Sequence, residues 1–258
     1  MKVIYFSATG NSLAVAKAVS SKFNGEMISI PQVMDRDDQT YKDDVIGVVF
    51  PTYGCTVPEY VQRFLKKVKL DAGYAFAVGT YGMTKGKTME IAQRIAKESG
   101  YRFDYVNQIL MLDNCQPQFD IAKEKEKLPS KKVDEQITQL IADIQAKKKI
   151  TAKSSFGDKA ATWLCATAFN IEKPDYAQKN YSVDANCIKC ETCAKVCPAL
   201  NIKVTDHVEF STHCVCCQAC IHACPKHAIH FKGERNTDRW RNQNVSLAEL
   251  IAANNQMR

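Results

Sequence analysis

Nine of the chain's twelve cysteines fall between Cys187 and Cys224, in the stretches "CIKCETCAKVCP" and "CVCCQACIHACP". Each stretch carries the spacing C-x2-C-x2-C-x3-C-P, and the second repeats the first 27 residues further on. Thiolates at this spacing hold iron–sulfur cubanes. Three close cysteines wrap one corner of a [4Fe–4S] cluster, each reaching a different iron, and the fourth, set before proline, points away to the other cluster. The rule assigns Cys187, Cys190, Cys193 and Cys224 to one cluster, and Cys214, Cys217, Cys220 and Cys197 to the other. Cys216 falls outside the spacing and reads as a bystander. Zinc is the blander alternative, but structural zinc sites present pairs of cysteines separated by a longer gap. Disulfides are disfavoured in the reducing compartment that the rest of the sequence suggests.

At 258 residues the chain is long enough for two domains. A hydrophobic content of 45% and a charged content of 24% are ordinary for a soluble globular protein. The net charge of +7 is spread out, with 22 basic against 18 acidic residues in 1–150 and 13 against 10 afterwards. There is no basic stripe, so no nucleic-acid partner is expected. The opening "KVIYFSATGNS" reads as strand and turn rather than a secretory leader. "AATWLCATAFNI" is too short to span a bilayer. The expectation is a cytoplasmic protein without a membrane span; the oligomeric state is left open.

The elements that must carry these sites alternate. Apolar runs at 2–6, 26–30, 43–51, 73–82 and 103–112 read as strands. Helical spacing follows at 11–23, after Pro58 (Val61, Phe64, Leu65), at 88–100 and from Pro129 (Val133, Ile137, Leu140, Ile141, Ile144). This alternation predicts an α/β fold, a five-stranded doubly wound parallel sheet over residues 1–150, with ligands at the loops after Phe6, Phe50 and Val78. Residues 151–175 read as a connector with one helix around Trp163–Phe169, 176–233 as a small α+β domain holding the cysteine repeat, and 234–258 as a tail.

The loop Ser7-Ala8-Thr9-Gly10-Asn11-Ser12 opens directly into a helix, which makes it a phosphate cradle. It matches neither a Walker loop nor G-x-G-x-x-G. The alternative is a well-capped turn with Asn11 or Ser12 as the cap. With its neighbours, however, the first 150 residues resemble a flavodoxin. That family holds FMN phosphate on a T/S-x-T-G-x-T loop, matched here by Ser7, Thr9, Gly10, Asn11 and Ser12. The resemblance implies that the FMN ring lies between the loops "PTYGC" (Pro51, Thr52, Tyr53, Gly54) and "GTYGMTKGK" (Thr80, Tyr81, Gly82, Gly86). Tyr53 and Tyr81 could stack on it, or be ordinary loop packing. The whole chain resembles the fused flavodoxin–ferredoxin proteins of anaerobes, including "MLDN" and "RWRNQNVSL". This implies Asn114 near the flavin, its other reading being a turn residue. Cys55, near the flavin by the same resemblance, reads as a partly buried bystander rather than a reactive thiol, and so do Cys115 and Cys165.

All five histidines lie in the cysteine-rich part, where no cysteine ligand is missing, so they read as packing or solvated groups. The sequence thus implies FMN and two [4Fe–4S] clusters on one electron path, serving a reductase or an electron carrier, with a redox partner protein or small-molecule acceptor. The alternative is a redox sensor or interaction module without turnover. No acid–base pair or nucleophilic triad supports hydrolysis.

Overall fold

The structure, a computed structural model, describes residues 1–168 and 175–256. Its first half alternates as expected: β1 (Lys2–Tyr5), α1 (Asn11–Phe23), β2 (Glu26–Ser29), α2 (Ile30–Val33), β3 (Thr40–Pro51), α3 (Glu59–Lys67), β4 (Lys69–Tyr81), α4 (Thr88–Glu98) and β5 (Tyr105–Leu110). The strands form one parallel sheet in the order β2-β1-β3-β4-β5, the doubly wound order of flavodoxin-like folds. Ile46–Phe50 of β3 and Tyr74–Thr80 of β4 are buried without interruption, because helices cover both faces. Two apolar clusters result. One holds Ile4, Phe6, Phe50, Phe64 and Ile95; the other holds Val3, Leu13, Phe76, Tyr105 and Leu140.

Differences lie at the element ends. β3 and β4 begin three and four residues earlier than the apolar runs indicate, as a parallel extension in which Thr40–Asp43 faces Lys69–Ala72. Charged residues alternate there, and Lys42 pairs with Asp71 at 3.1 Å. Such a segment reads as loop because only one side of it is covered. The helix expected from Pro129 is broken: after α5 (Ile121–Glu126) comes a 3₁₀ turn at Leu128–Lys131, and Lys132, at φ 48°, redirects the chain into α6 (Val133–Gln145). The connector helix is α7 (Phe156–Ala168), with its expected last residue, Phe169, outside the described residues.

The cysteine-rich part is a tandem repeat in three dimensions as well. After α8 (Tyr176–Asn180) come β6 (Tyr181–Val183), α9 (Thr192–Lys195) and β7 (Ile202–Val204). Then β8 (Val208–Phe210), α10 (Ala219–Ala223) and β9 (Ile229–Phe231) begin 27 residues after their counterparts. The copies exchange strands: β6 pairs with β9 and β7 with β8, both antiparallel. Tyr181 packs edge-on against Phe210 and Phe231 between them. The chain closes with α11 (Leu247–Asn254), held by a capping box of Ser246 and Glu249. Among the described residues no helix is long and apolar enough to cross a membrane.

Candidate functional site

β1 hands the chain to the Ser7–Gly10 loop, and Gly10, at φ 102°, turns it into α1. Gly10 itself takes the N-cap position, and no side chain caps the helix, so the reading in which Asn11 or Ser12 serves as cap is not realised. The first-turn amides and the positive end of the helix dipole lie at this loop. Ser7, Thr9 and Ser12 surround them as buried hydroxyls. Three strand ends are tied together here. Ser12 Oγ meets Thr80 Oγ1 at 2.9 Å, Asn11 donates to the Leu112 carbonyl at 3.1 Å, and Asn114 donates to Thr9 Oγ1 at 2.5 Å.

The loop after β3 is a two-residue hairpin turn. Tyr53 and Thr56 exchange backbone bonds of 3.1 and 3.0 Å around Gly54 and Cys55, whose φ angles are 52° and 64°. Thr52 N–H donates to the Thr80 carbonyl at 2.7 Å, which locks this loop to the end of β4. Lys131 Nζ reaches the carbonyls of Gly82 and Met111 at 2.9 and 2.8 Å and joins the loops after β4 and β5.

These loops enclose a cavity of about 710 Å³. Of the residues expected to hold FMN, Ser7, Thr9, Asn11, Ser12, Pro51, Thr52, Tyr53, Gly54, Thr80, Tyr81, Gly82 and Asn114 line it. Gly10 and Gly86 do not. Gly10 lies against the C-terminal segment: a Cβ there would lie 2.9 Å from the Asn242 Cβ and 3.2 Å from the Val245 Cβ. Gly86 instead lets three segments meet: a Cβ there would lie 2.4 Å from the Cys55 carbonyl oxygen and 2.8 Å from Thr162 Oγ1. Thr52 Oγ1 is buried and has no hydrogen-bond partner among the described residues.

The remaining wall was not read from the sequence. Asp113, Cys115 and Phe119 come from the segment after β5, Leu164 and Cys165 from α7, and Tyr176, Cys216, Cys217, Gln218 and Arg235 from further along the chain. The rule that ligands sit beyond the carboxyl ends of strands points to the first group. No local pattern marks the others. Burial raises the Asp113 carboxyl to about 6, with Glu124 adding repulsion against the backbone bond from Cys115 and the Lys131 charge.

Two smaller gaps lie inside the repeat. One is lined by Cys187, Cys190, Cys193 and Cys224, and holds about 20 Å³. The other is lined by Cys197, Cys214, Cys217 and Cys220, with about 20 Å³ as well. Each run therefore contributes its pre-proline cysteine to the other run's gap. Matching strain shapes both runs: Lys189, Glu191 and Leu200 adopt positive φ, and so do Cys216, Gln218 and His227, 27 residues on. Left-handed backbone costs a non-glycine residue roughly 1–2 kcal/mol, and it turns amides toward sulfur. Asn201 N–H and Ala228 N–H, at equivalent positions, each donate to the pre-proline sulfur, Cys197 or Cys224, at 3.3 Å. Burial pushes the Cys193 thiol up to about 12 and raises Cys197, Cys217 and Cys220 as well. Among the described residues, no three His, Cys, Asp or Glu side chains converge as on a single metal ion.

Cys217 lines both the second cysteine gap and the large cavity. The joint around it is well bonded. Gln116 N–H donates to Gln218 Oε1 at 3.0 Å, and Tyr60 O–H donates to the Pro198 carbonyl at 2.9 Å. His222 is buried; its Nε2–H donates to the Asn114 carbonyl at 2.8 Å, while Nδ1 accepts from Trp240 N–H at 3.2 Å. Those two bonds require the neutral ring, and burial holds His222 down at about 4. His230 pairs with Glu234 and Asp184. The tail completes the joint: Asn242 N–H donates to the Thr9 carbonyl at 2.9 Å, and Asn254 donates to the Ser7 carbonyl at 3.0 Å.

No protein-family model and no curated protein matches the chain. Among solved structures it is similar to the two-electron reduced flavodoxin of Megasphaera elsdenii, at 18% identity and a TM-score of 0.32 over 42% of this chain and 83% of that one. It is similar to a flavoprotein in complex with FMN from Lactobacillus acidophilus, at 15% and 0.31 over 42% and 91%. A short-chain flavodoxin associated with a non-canonical PDU bacterial microcompartment matches at 19% and 0.33, over 54% and 97%.

Proposed function

We propose that the chain is an electron-transfer protein holding FMN in the large cavity and a [4Fe–4S] cluster in each cysteine gap. The observation that carries this reading is Cys217, whose side chain borders the second gap and the large cavity together. A redox group ligated there would lie one side chain from a group in the cavity. When bound, the clusters supply one-electron steps and the flavin joins one- and two-electron chemistry.

The residues fit these groups. The uncapped start of α1, with Ser7, Thr9 and Ser12, suits a phosphate. Tyr53 and Tyr81, which line the cavity, supply aromatic faces. In each cysteine gap four thiols surround a space instead of converging on a point, as a cubane needs, since every thiolate binds a different iron. Iron would displace the protons that burial otherwise keeps on Cys193, Cys217 and Cys220. N–H bonds to Cys197 and Cys224 would raise the cluster potentials by stabilising the more negative reduced state. In this reading the domains run 1–150, 151–175, 176–233 and 234–258, as the sequence indicates.

Anaerobically purified protein should carry about eight iron and eight sulfide per chain, with one releasable FMN. Zinc without acid-labile sulfide would sink the cluster assignment, and a colourless, FMN-free protein the cavity assignment. Cys217→Ala should keep its FMN but slow flavin reduction by a one-electron donor at least tenfold. Anaerobic reoxidation then separates roles: fast turnover with a small acceptor marks a reductase, and turnover with proteins alone marks a carrier.

A further inference from the structure

Cys55 and Cys165 lie far apart in sequence, and the fold places their sulfurs 3.0 Å apart at the wall of the large cavity. We propose that they form a dithiol–disulfide couple that exchanges two electrons with the redox group of that cavity. The exchange rests on the functional reading above; the couple itself rests on geometry.

Three features hold the pair in register. Cys55 occupies the second turn position of the Tyr53–Thr56 hairpin at φ 64°, where asparagine or glycine is the usual residue. A cysteine there carries strain, and in return its side chain is fixed by the turn. Thr162, one helical turn before Cys165, meets the Cys55 carbonyl at 3.2 Å and accepts from Lys87 N–H at 3.0 Å. Gly86 leaves the space in which these segments touch. Only about 1 Å of approach separates the sulfurs from a bond of about 2.05 Å.

The chemistry balances. In reduction the S–S bond breaks, and each sulfur takes up one electron and one proton. Both electrons come from a reduced isoalloxazine, a two-electron, two-proton donor that is oxidised in the same step. In the reverse direction two S–H bonds break and one S–S bond forms, with oxidised isoalloxazine as acceptor. Burial and the neighbouring sulfur push the Cys55 thiol up to about 12, so Cys55 rests as a protonated thiol when the pair is reduced. The clusters of that reading would supply single electrons, and this pair would store them two at a time.

The test uses the cofactor-loaded chain. After anaerobic treatment with diamide, alkylation and proteolysis, mass spectrometry should find Cys55 joined to Cys165, reversibly with dithiothreitol. Recovery of both as separately alkylated peptides would overturn the couple. In an anaerobic dithionite titration, the bridged protein should take up two more electrons per chain than Cys165→Ala prepared identically, with Cys55→Ser as a second control. Equal uptake at equal FMN content would overturn the exchange. A chain that bridges but binds no FMN would overturn the reading of the cavity and the exchange, and leave the couple standing.

Discussion

Alanine substitutions taken in pairs test the crossed cysteine assignment by iron content. The gaps group Cys224 with Cys187, Cys190 and Cys193, and Cys197 with Cys214, Cys217 and Cys220. Removing one ligand should empty one gap, so Cys224→Ala alone should lower iron from about eight to about four per chain. Adding Cys187→Ala strikes the same gap and should leave about four. Adding Cys214→Ala strikes the other gap and should leave almost none. The mirror pairs are Cys197 with Cys214, keeping about four, and Cys197 with Cys187, keeping almost none. Iron and acid-labile sulfide are assayed against FMN as an internal standard. Cys224 and Cys197 touch no part of the large cavity, so its content should hold. If each run instead held its own four cysteines, the outcomes would swap: Cys214 with Cys224 would keep four iron and Cys187 with Cys224 none. That result would refute the crossed geometry and the strand exchange on which it rests.

Gly10→Ala would force a side chain onto φ 102° and place its Cβ 2.9 Å from the Asn242 Cβ. The strain of about 1–2 kcal/mol should weaken FMN binding roughly tenfold, measured by fluorescence quenching; unchanged affinity would remove the loop from the site. Asp113, raised to about 6 by burial, should destabilise the fold as it ionises. Its contribution is complete below the unfolded value near 4 and is lost as pH rises through 6. Asp113→Asn should therefore raise the midpoint of thermal unfolding at pH 7.5 and leave it unchanged at pH 4. A pH-independent difference would exclude the carboxyl as the cause.

Local chemistry made much of this protein readable in advance. The strands β1, β3 and β4 followed from doubly buried apolar runs, which no other arrangement of such residues satisfies as easily. The turn from β1 into α1 was legible because glycine between short hydroxyl-bearing residues marks a break from strand to helix. Where one face was solvated, as in Thr40–Asp43 and Lys69–Ala72, the pattern blurred into loop and the strand starts were missed. Gly86 lies against Cys55 and Thr162 rather than on the cavity wall, a placement that sequence does not reveal because it records the need for a small residue, not its neighbour.

The sequence by itself determined the spacing of the cysteines and the 27-residue repeat, since ligand reach along a chain is a local property. Tertiary structure decided what those residues face. Cys217 reaches the large cavity only because the joint through Gln116, Tyr60 and His222 brings the repeat against the strand ends. Cys55 and Cys165, each a bystander when read from the sequence, meet at 3.0 Å because α7 folds back over the hairpin turn. Contacts between distant segments come from packing many weak interactions at once, and no short motif encodes them.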